Sequence, residues 1–306
     1  MSEQTITQKS RKFYEKYQFP GNRPIDHDGL IFMRRFYQSI SKISGKENKI
    51  RVLDAGCGTG NTSVSLANQF KEIEFVGLDQ SGPSLKKAIS NAKKNRLINL
   101  TFRKWNLLKP LPSHEKFDLA LCLGVLHHTA DMKKVMINLN NALKDNGEMF
   151  LWIYGKHGRY NHSLNIRLLR MLLEVKPVPE NIIELASDFA IKTGQGLPLT
   201  DLIGKIKTGP MQLNAFKDPV WIADQFLNPH ELLIDMEELL ELVGSTGFKI
   251  SYVLGMEDKI SQKFNSPELS QRFLKLSKNK RLVAYDLLIK PERYFVVLQK
   301  LKRKIK

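Results

Sequence analysis

Val52-Leu53-Asp54-Ala55-Gly56-Cys57-Gly58-Thr59-Gly60 decides the fold. A short apolar run, residues 50–54, reads as a strand ending on a carboxylate. Three glycines then alternate with other residues. A glycine has no Cβ, so the backbone there can turn tightly and press against a ligand. Downstream, Glu74-Phe75-Val76-Gly77-Leu78-Asp79 reads as a second strand that again ends on an acid. A carboxylate in that place can accept both hydroxyl protons of a ribose.

The pattern continues outward on both sides. Val64, Leu66, Ala67 and Phe70 suit a core-facing helix, and Ser81 can cap another that carries Leu85, Ala88, Ile89 and Ala92. Residues 100–102 and 117–123 read as strands, the latter apolar nearly throughout, as in strands buried on both faces. Asp131 opens a helix with Val135, Leu139 and Leu143, ended by Asn146-Gly147, and residues 148–154 form a fifth strand. Residues 248–254 and 294–298 add two more, with mostly helix at 269–289. The expected fold is α/β: a Rossmann-like, doubly wound sheet of seven strands, mostly parallel. Between the fifth and sixth strands the pattern turns helical. Leu164, Leu168, Leu169 and Leu172 mark one helix, Ile182, Ile183, Ala186 and Ala190 another, and Asp235-Met236-Glu237-Glu238 has capping-box spacing. Such a length exceeds an ordinary connection. The division expected is 1–45, an N-terminal aromatic lid; 46–155, the cofactor-binding core; 156–246, a helical insertion serving as substrate cap; and 247–306, the strands and helix that complete the sheet.

The chain has 306 residues, 42% hydrophobic and 26% charged, which excludes collagen-like, low-complexity and wholly disordered chains. Two cysteines, Cys57 and Cys122, supply neither a disulfide framework nor a cysteine-rich zinc site. His27, His114, His157, His162 and His230 show no mutual metal-ligand spacing, so no metal is expected. No run approaches a membrane span and the N-terminus lacks a secretory apolar stretch, so a cytoplasmic protein is expected. The net charge of +17 permits nucleic acid or anionic partners, yet the basic residues are spread along the chain, densest at residues 300–306.

Two nucleoside ligands suit the glycine frame. A dinucleotide calls for G-x-G-x-x-G with its pyrophosphate at a helix N-terminus. Here the spacing is G-x-G-x-G, and Asp54 stands directly before it. That carboxylate would repel a pyrophosphate and attract the cationic methionine end of S-adenosylmethionine. Charge therefore favours the sulfonium cofactor over NAD.

Residues 52–60 also resemble the first motif of the class I S-adenosylmethionine-dependent methyltransferases. So do Gly77-Leu78-Asp79, the run from Phe117 through Leu123-Gly124-Val125-Leu126 to His127-His128, and Leu143-Lys144-Asp145-Asn146-Gly147-Glu148, in the family's order. The resemblance implies that Asp54, Gly56 and Gly58, with Cys57 and Gly60 in the same loop, wall the methionine portion. It implies Asp79 as ribose ligand, Gln80 beside the adenine, and the backbone near Leu123 as contact to the methionine amino group. Where the family often places an adenine-binding Asp, this chain has Trp105-Asn106. Asn106 can accept the adenine amino group through its side-chain oxygen but brings no charge. Trp105 can stack on the purine or fill the core.

His127 and His128 follow the fourth strand, at the mouth of such a site, as candidate catalytic bases; the alternative is local packing. Methyl transfer proceeds without a base where alignment suffices. The chain lacks the Asn/Asp-Pro-Pro-Tyr/Phe motif of many nucleic-acid and protein amine methylases, which points to a small-molecule acceptor. A nucleic-acid or protein methylase using the basic surface, and a non-catalytic cofactor-binding module, are the alternatives. The chain is also similar to uncharacterised bacterial methyltransferases in Phe13 to Pro20, Trp152 to Gly155 and Asp224 to Pro229. For the acceptor pocket the expected residues are Tyr14, Tyr17, Tyr154, Trp221 and Asp224, with Phe216, Gln225 and Phe226 around them. The alternative is that these aromatics fill the insertion's own core.

Overall fold

The computed structural model describes residues 2–20, 27–43, 49–176, 180–192, 218–255 and 264–302, without the side chains of 27, 28, 30, 191 and 192. Seven strands form one sheet in the order β3-β2-β1-β4-β5-β7-β6. They are β1 (Arg51–Ala55), β2 (Glu74–Asp79), β3 (Leu100–Lys104), β4 (Phe117–Leu123), β5 (Leu143–Tyr154), β6 (Phe248–Val253) and β7 (Arg293–Lys300). The first five pair in parallel, and β7 runs antiparallel between β5 and β6. Strand order reverses between β1 and β4, the place where open α/β sheets bind ligands beyond their carboxyl ends.

The central strands β1, β2 and β4 are mostly buried because both faces are covered, whereas the edge strand β3 exposes Thr101 and Lys104. In β4, Leu119 and Leu121 join one core and Ala120 and Cys122 the other, the period of two that a pleated strand imposes. One face lies under α2 (His27–Ile43), α3 (Asn61–Gln69) and α4 (Gly82–Lys94), through Phe32, Phe36, Ile40, Leu66 and Ala92. The other lies under α5 (Met132–Ala142) and two later helices. The remaining helices are α1 (Glu3–Lys16), α6 (Tyr160–Leu173), α7 (Ile182–Lys192), α8 (Pro219–Ile222, continued by a π-turn, Ala223–Leu227), α9 (Met236–Ser245), α10 (Pro267–Lys275) and α11 (Lys278–Ile289). Among the described residues no helix is long and apolar enough to cross a membrane.

Four expectations need correction. First, α5 stops at Ala142, and Leu143 opens β5 opposite Phe117; Asn146, at φ 60°, turns the strand where the β4–β5 register shifts. Secondly, Leu164, Leu168 and Leu172 are exposed on α6, which instead turns Leu169 and the flanking Ile166 and Leu173 inward. Thirdly, α9 belongs to the main core rather than to the insertion. Its capping box is formed by Asp235 and Glu238, and Met236, Leu239 and Val243 pack with the sheet. Finally, the N-terminal region is two different things. Only α1 lies over the sheet ends, whereas α2 is a core layer.

Candidate active site

A cavity of about 800 Å³ lies beyond the carboxyl ends of β1, β2, β4 and β5, within the range of roughly 300–1,000 Å³ usual for small-ligand pockets. Asp54, Gly56, Cys57, Gly58, Asp79, Gln80, Trp105, Asn106 and Leu123 line it. The Asp54 carboxylate is buried and accepts the Ser63 hydroxyl. Burial pushes its pKa up to about 6, and the neighbouring Asp79 adds to the rise. Asp79 accepts the backbone N–H groups of Gly58 (2.9 Å) and Ser81 (2.7 Å). Burial raises its pKa too, while these backbone bonds pull it back.

The glycines serve the protein as much as a ligand. At Gly58, φ is 53° and an added Cβ would lie 2.4 Å from the Phe19 carbonyl, which also accepts from Thr59 N (3.3 Å). Gly60 lies outside the cavity lining. It is the left-handed N-cap of α3, where a Cβ would meet Ala88 at 2.7 Å and Phe102 at 2.8 Å. The Trp105 indole N–H donates to Lys109 O (3.2 Å), and the Asn106 side-chain oxygen accepts Leu108 N (3.0 Å). One lone pair on that oxygen is thereby taken, and the second stays available.

His127 and His128 part company. His128 lines the cavity, and its Nδ1 lies 3.0 Å from the His230 carbonyl. A carbonyl only accepts, so Nδ1 carries the proton and Nε2 of the neutral ring keeps its lone pair. His127 is outside the lining and fully buried, with ring centroids 4.1 Å from both His128 and Tyr154. Neither of its ring nitrogens has a hydrogen-bond partner among the described residues. Burial, with His128 and Arg159 nearby, drives its pKa well down.

Of the expected acceptor residues, Tyr14, Tyr154 and Trp221 line the cavity. Tyr14 is on α1; its hydroxyl donates to Asp224 Oδ1 (2.9 Å) and accepts from Asn228 Nδ2 (2.8 Å). Asp224 itself lies behind the wall. Gln225 Nε2 joins it (3.0 Å) to the Tyr154 hydroxyl (2.8 Å). Burial raises both tyrosine pKa values, so both phenols are protonated at neutral pH. Tyr17 does not reach the cavity and packs on Phe13, ring centroids 5.1 Å apart. Trp221 also faces Phe226 in the insertion's core, with Leu169, Ala186 and Ala190. Phe216 lies outside the described residues.

Sequence reasoning missed Ser10, Trp152, Arg159, Glu292 and Arg293, all of which line the cavity. The signal was present for the last pair, because Arg293 opens β7, which lies beside β5 with Arg293 opposite Tyr154. Arg159 sits just beyond β5 but looks like any of 48 lysines and arginines.

Residues 46–159 match a family model described as a methyltransferase domain. An uncharacterised protein of Synechococcus sp. is 24% identical over 301 residues, 93% of this chain and 69% of that one. The ubiquinone biosynthesis O-methyltransferase of Glaesserella parasuis is 30% identical over 120 residues, 37% of this chain and 50% of that protein. The solved structure of PKMT2 from Rickettsia typhi superposes with a TM-score of 0.65 at 16% identity, over 93% of this chain and 56% of that one. Its complex with AdoHcy gives a TM-score of 0.61 at 17% identity, over 84% and 51%. The chain thus spans about half the length of these two named relatives, and at such identity the structures show a shared fold. Residues 46–159 thus match a methyltransferase domain, and the seven-stranded sheet around them has the Rossmann-like α/β fold shared with these methyltransferase structures.

Proposed function

We propose that this protein transfers the methyl group of S-adenosylmethionine to an oxygen or nitrogen atom of a small-molecule acceptor in the cytoplasm. The observation that carries the reading is one cavity whose wall runs across neighbouring strand ends: Asp79 closing β2, Asp54 near the end of β1, His128 beyond β4, Tyr154 closing β5 and Arg159 just past it. The residues at β1 and β2 fit the cofactor. A buried carboxylate whose partner is one hydroxyl suits a cation, and Asp79 keeps lone pairs for a ribose. The cofactor supplies an electrophilic methyl on a positively charged sulfur, and alignment provides much of the acceleration.

His128 Nε2 takes the proton of the acceptor O–H or N–H. The helix α1 excludes water from the same space. Ser10 Oγ donates to the His128 carbonyl (3.2 Å), the Tyr14 carbonyl accepts Ser81 Oγ (3.2 Å), and the Tyr14 hydroxyl reaches the insertion. A site roofed by α1 and walled by Trp221 suits a small molecule better than a polymer. The O-methyltransferase among the relatives supports an oxygen acceptor. Both cysteines are buried free thiols, in keeping with a reducing compartment.

Calorimetry tests the cofactor first: S-adenosylhomocysteine binds and NAD does not, and equal affinity for both removes the reading. Isotopically labelled methyl donor, offered with pooled metabolites, RNA and protein, then reads out the acceptor. Label in small molecules is expected; label in RNA or protein replaces the acceptor class.

A further inference from the structure

We infer that the acceptor carries a carboxylate, gripped by Arg159 at the β5 end of the cavity; this rests on the methyltransferase reading above. Arg159 is 3% exposed and lines the cavity. Its guanidinium lies 3.7 Å from the Tyr154 ring centroid, which fixes its plane, and Nη1 donates to Gln225 Oε1 (3.2 Å). The opposite edge, Nε and Nη2, has no hydrogen-bond acceptor among the described residues. Glu231 Oε1 lies 3.4 Å from Nη2, an ion pair out of hydrogen-bond alignment. Two parallel N–H groups on one edge of a guanidinium match the two oxygens of a carboxylate.

A second observation points the same way. The Trp152 indole N–H, two positions before Tyr154 and so on the same face of β5, is buried without an acceptor among the described residues, and Trp152 lines the same space. Buried donors are paired in folded proteins, and those that are not call for a missing partner. Here the unfilled groups are all donors, so the partner they await presents oxygens. The cavity's other charges at this end are Arg293 and Glu292. Arg293 lies 5.8 Å from the Trp152 ring centroid, so a second guanidinium flanks the spot. Burial disfavours ionisation of Glu292, which lessens its repulsion of an anion. A singly charged carboxylate suits this balance better than a phosphate dianion, which would meet Glu231 and Asp224 behind the wall.

The test uses protein loaded with S-adenosylhomocysteine, so that loss of the cofactor reading appears separately as failure of the loading step. Benzoate and 3-phenylpropanoate are titrated by calorimetry against their primary amides, which match them in shape. The carboxylates bind at least tenfold tighter than the amides. In Arg159→Gln that preference disappears while affinity for S-adenosylhomocysteine is unchanged, and Arg159→Lys, with charge but no fork, restores only part of it. Amides binding as well as acids to the unaltered protein, no binding of either acid, or a preference that survives Arg159→Gln overturns the inference. The comparison within the unaltered protein stands even where a variant fails to fold.

Discussion

At the scale of single residues, two adjacent histidines meet different physics. The Nδ1–H of His128 is committed to the His230 carbonyl, which leaves Nε2 as a proton acceptor on the cavity wall. His127, one residue earlier, has no access to the cavity and no partner for either nitrogen among the described residues. Replacing a buried polar group that lacks a partner by an apolar one of similar size is close to neutral for stability. His127→Leu is therefore expected to fold, bind cofactor and keep its turnover. His128→Ala is expected to lose about 10²-fold in turnover while its affinity for S-adenosylhomocysteine holds. Steady-state kinetics on both, with calorimetry as control, checks this; equal losses in the two variants would leave His128 without the role of base.

At the scale of elements, α1 is held over the cavity by polar contacts rather than by an apolar seam; its one fully buried residue is Ser10. Removing the hydroxyl in Tyr14→Phe leaves Asp224 and Asn228 each short of a partner in a buried place, a cost of about 1–3 kcal/mol. The expectation is faster hydrogen exchange along α1 and faster release of S-adenosylhomocysteine, with exchange in β4 unchanged; slow exchange throughout α1 would show that other contacts hold it. This latch also marks where sequence reading stops. The sheet was legible because strands covered on both faces repeat apolar residues and end on glycines and acids, which are local signals. Asp54 and Asp79 declared themselves that way. Tyr14 was legible as an aromatic near the site, but its tie to Asp224 spans 210 positions and depends on where α1 lands. Tyr17 carried the same signal and faces elsewhere, because α1 ends at Lys16 and Tyr17, its C-cap, has left the helix with extended backbone (φ −111°, ψ 91°). The exposed Leu164, Leu168 and Leu172 show the reverse failure: helical period identified α6, yet its opposite face was the one buried.

At the scale of the whole molecule, the buried carboxylates couple stability, pH and cofactor. Asp54 titrates at about 6 in the folded protein against 3.8 as an ordinary aspartate. The native state therefore holds more protons than the unfolded chain between those values, so this group's contribution to stability is present in acid and is lost as pH rises through 6. At neutral pH the ionised, buried group then costs about 3 kcal/mol. Asp79 acts in the same direction. Elsewhere Glu115 and Asp235, whose pKa values are lowered by Arg103 and by the α9 capping box, act in the opposite sense, so the comparison must be between variants. Asp54→Asn, which keeps an oxygen for the Ser63 hydroxyl, is expected to be more stable than the unaltered protein at pH 7.5, with the difference vanishing towards pH 4. On the cofactor site proposed above, the same ionised carboxylate would attract the cationic cofactor. Affinity for S-adenosylmethionine should therefore fall as pH drops through 6, and fall more steeply than for S-adenosylhomocysteine, whose sulfur is neutral. Denaturant unfolding of both proteins from pH 4 to 8, and calorimetry with both ligands, checks the two halves independently. A variant no more stable at pH 7.5 would mean that Asp54 does not strain the empty fold, and parallel pH profiles for the two ligands would mean that it does not read the charge on sulfur.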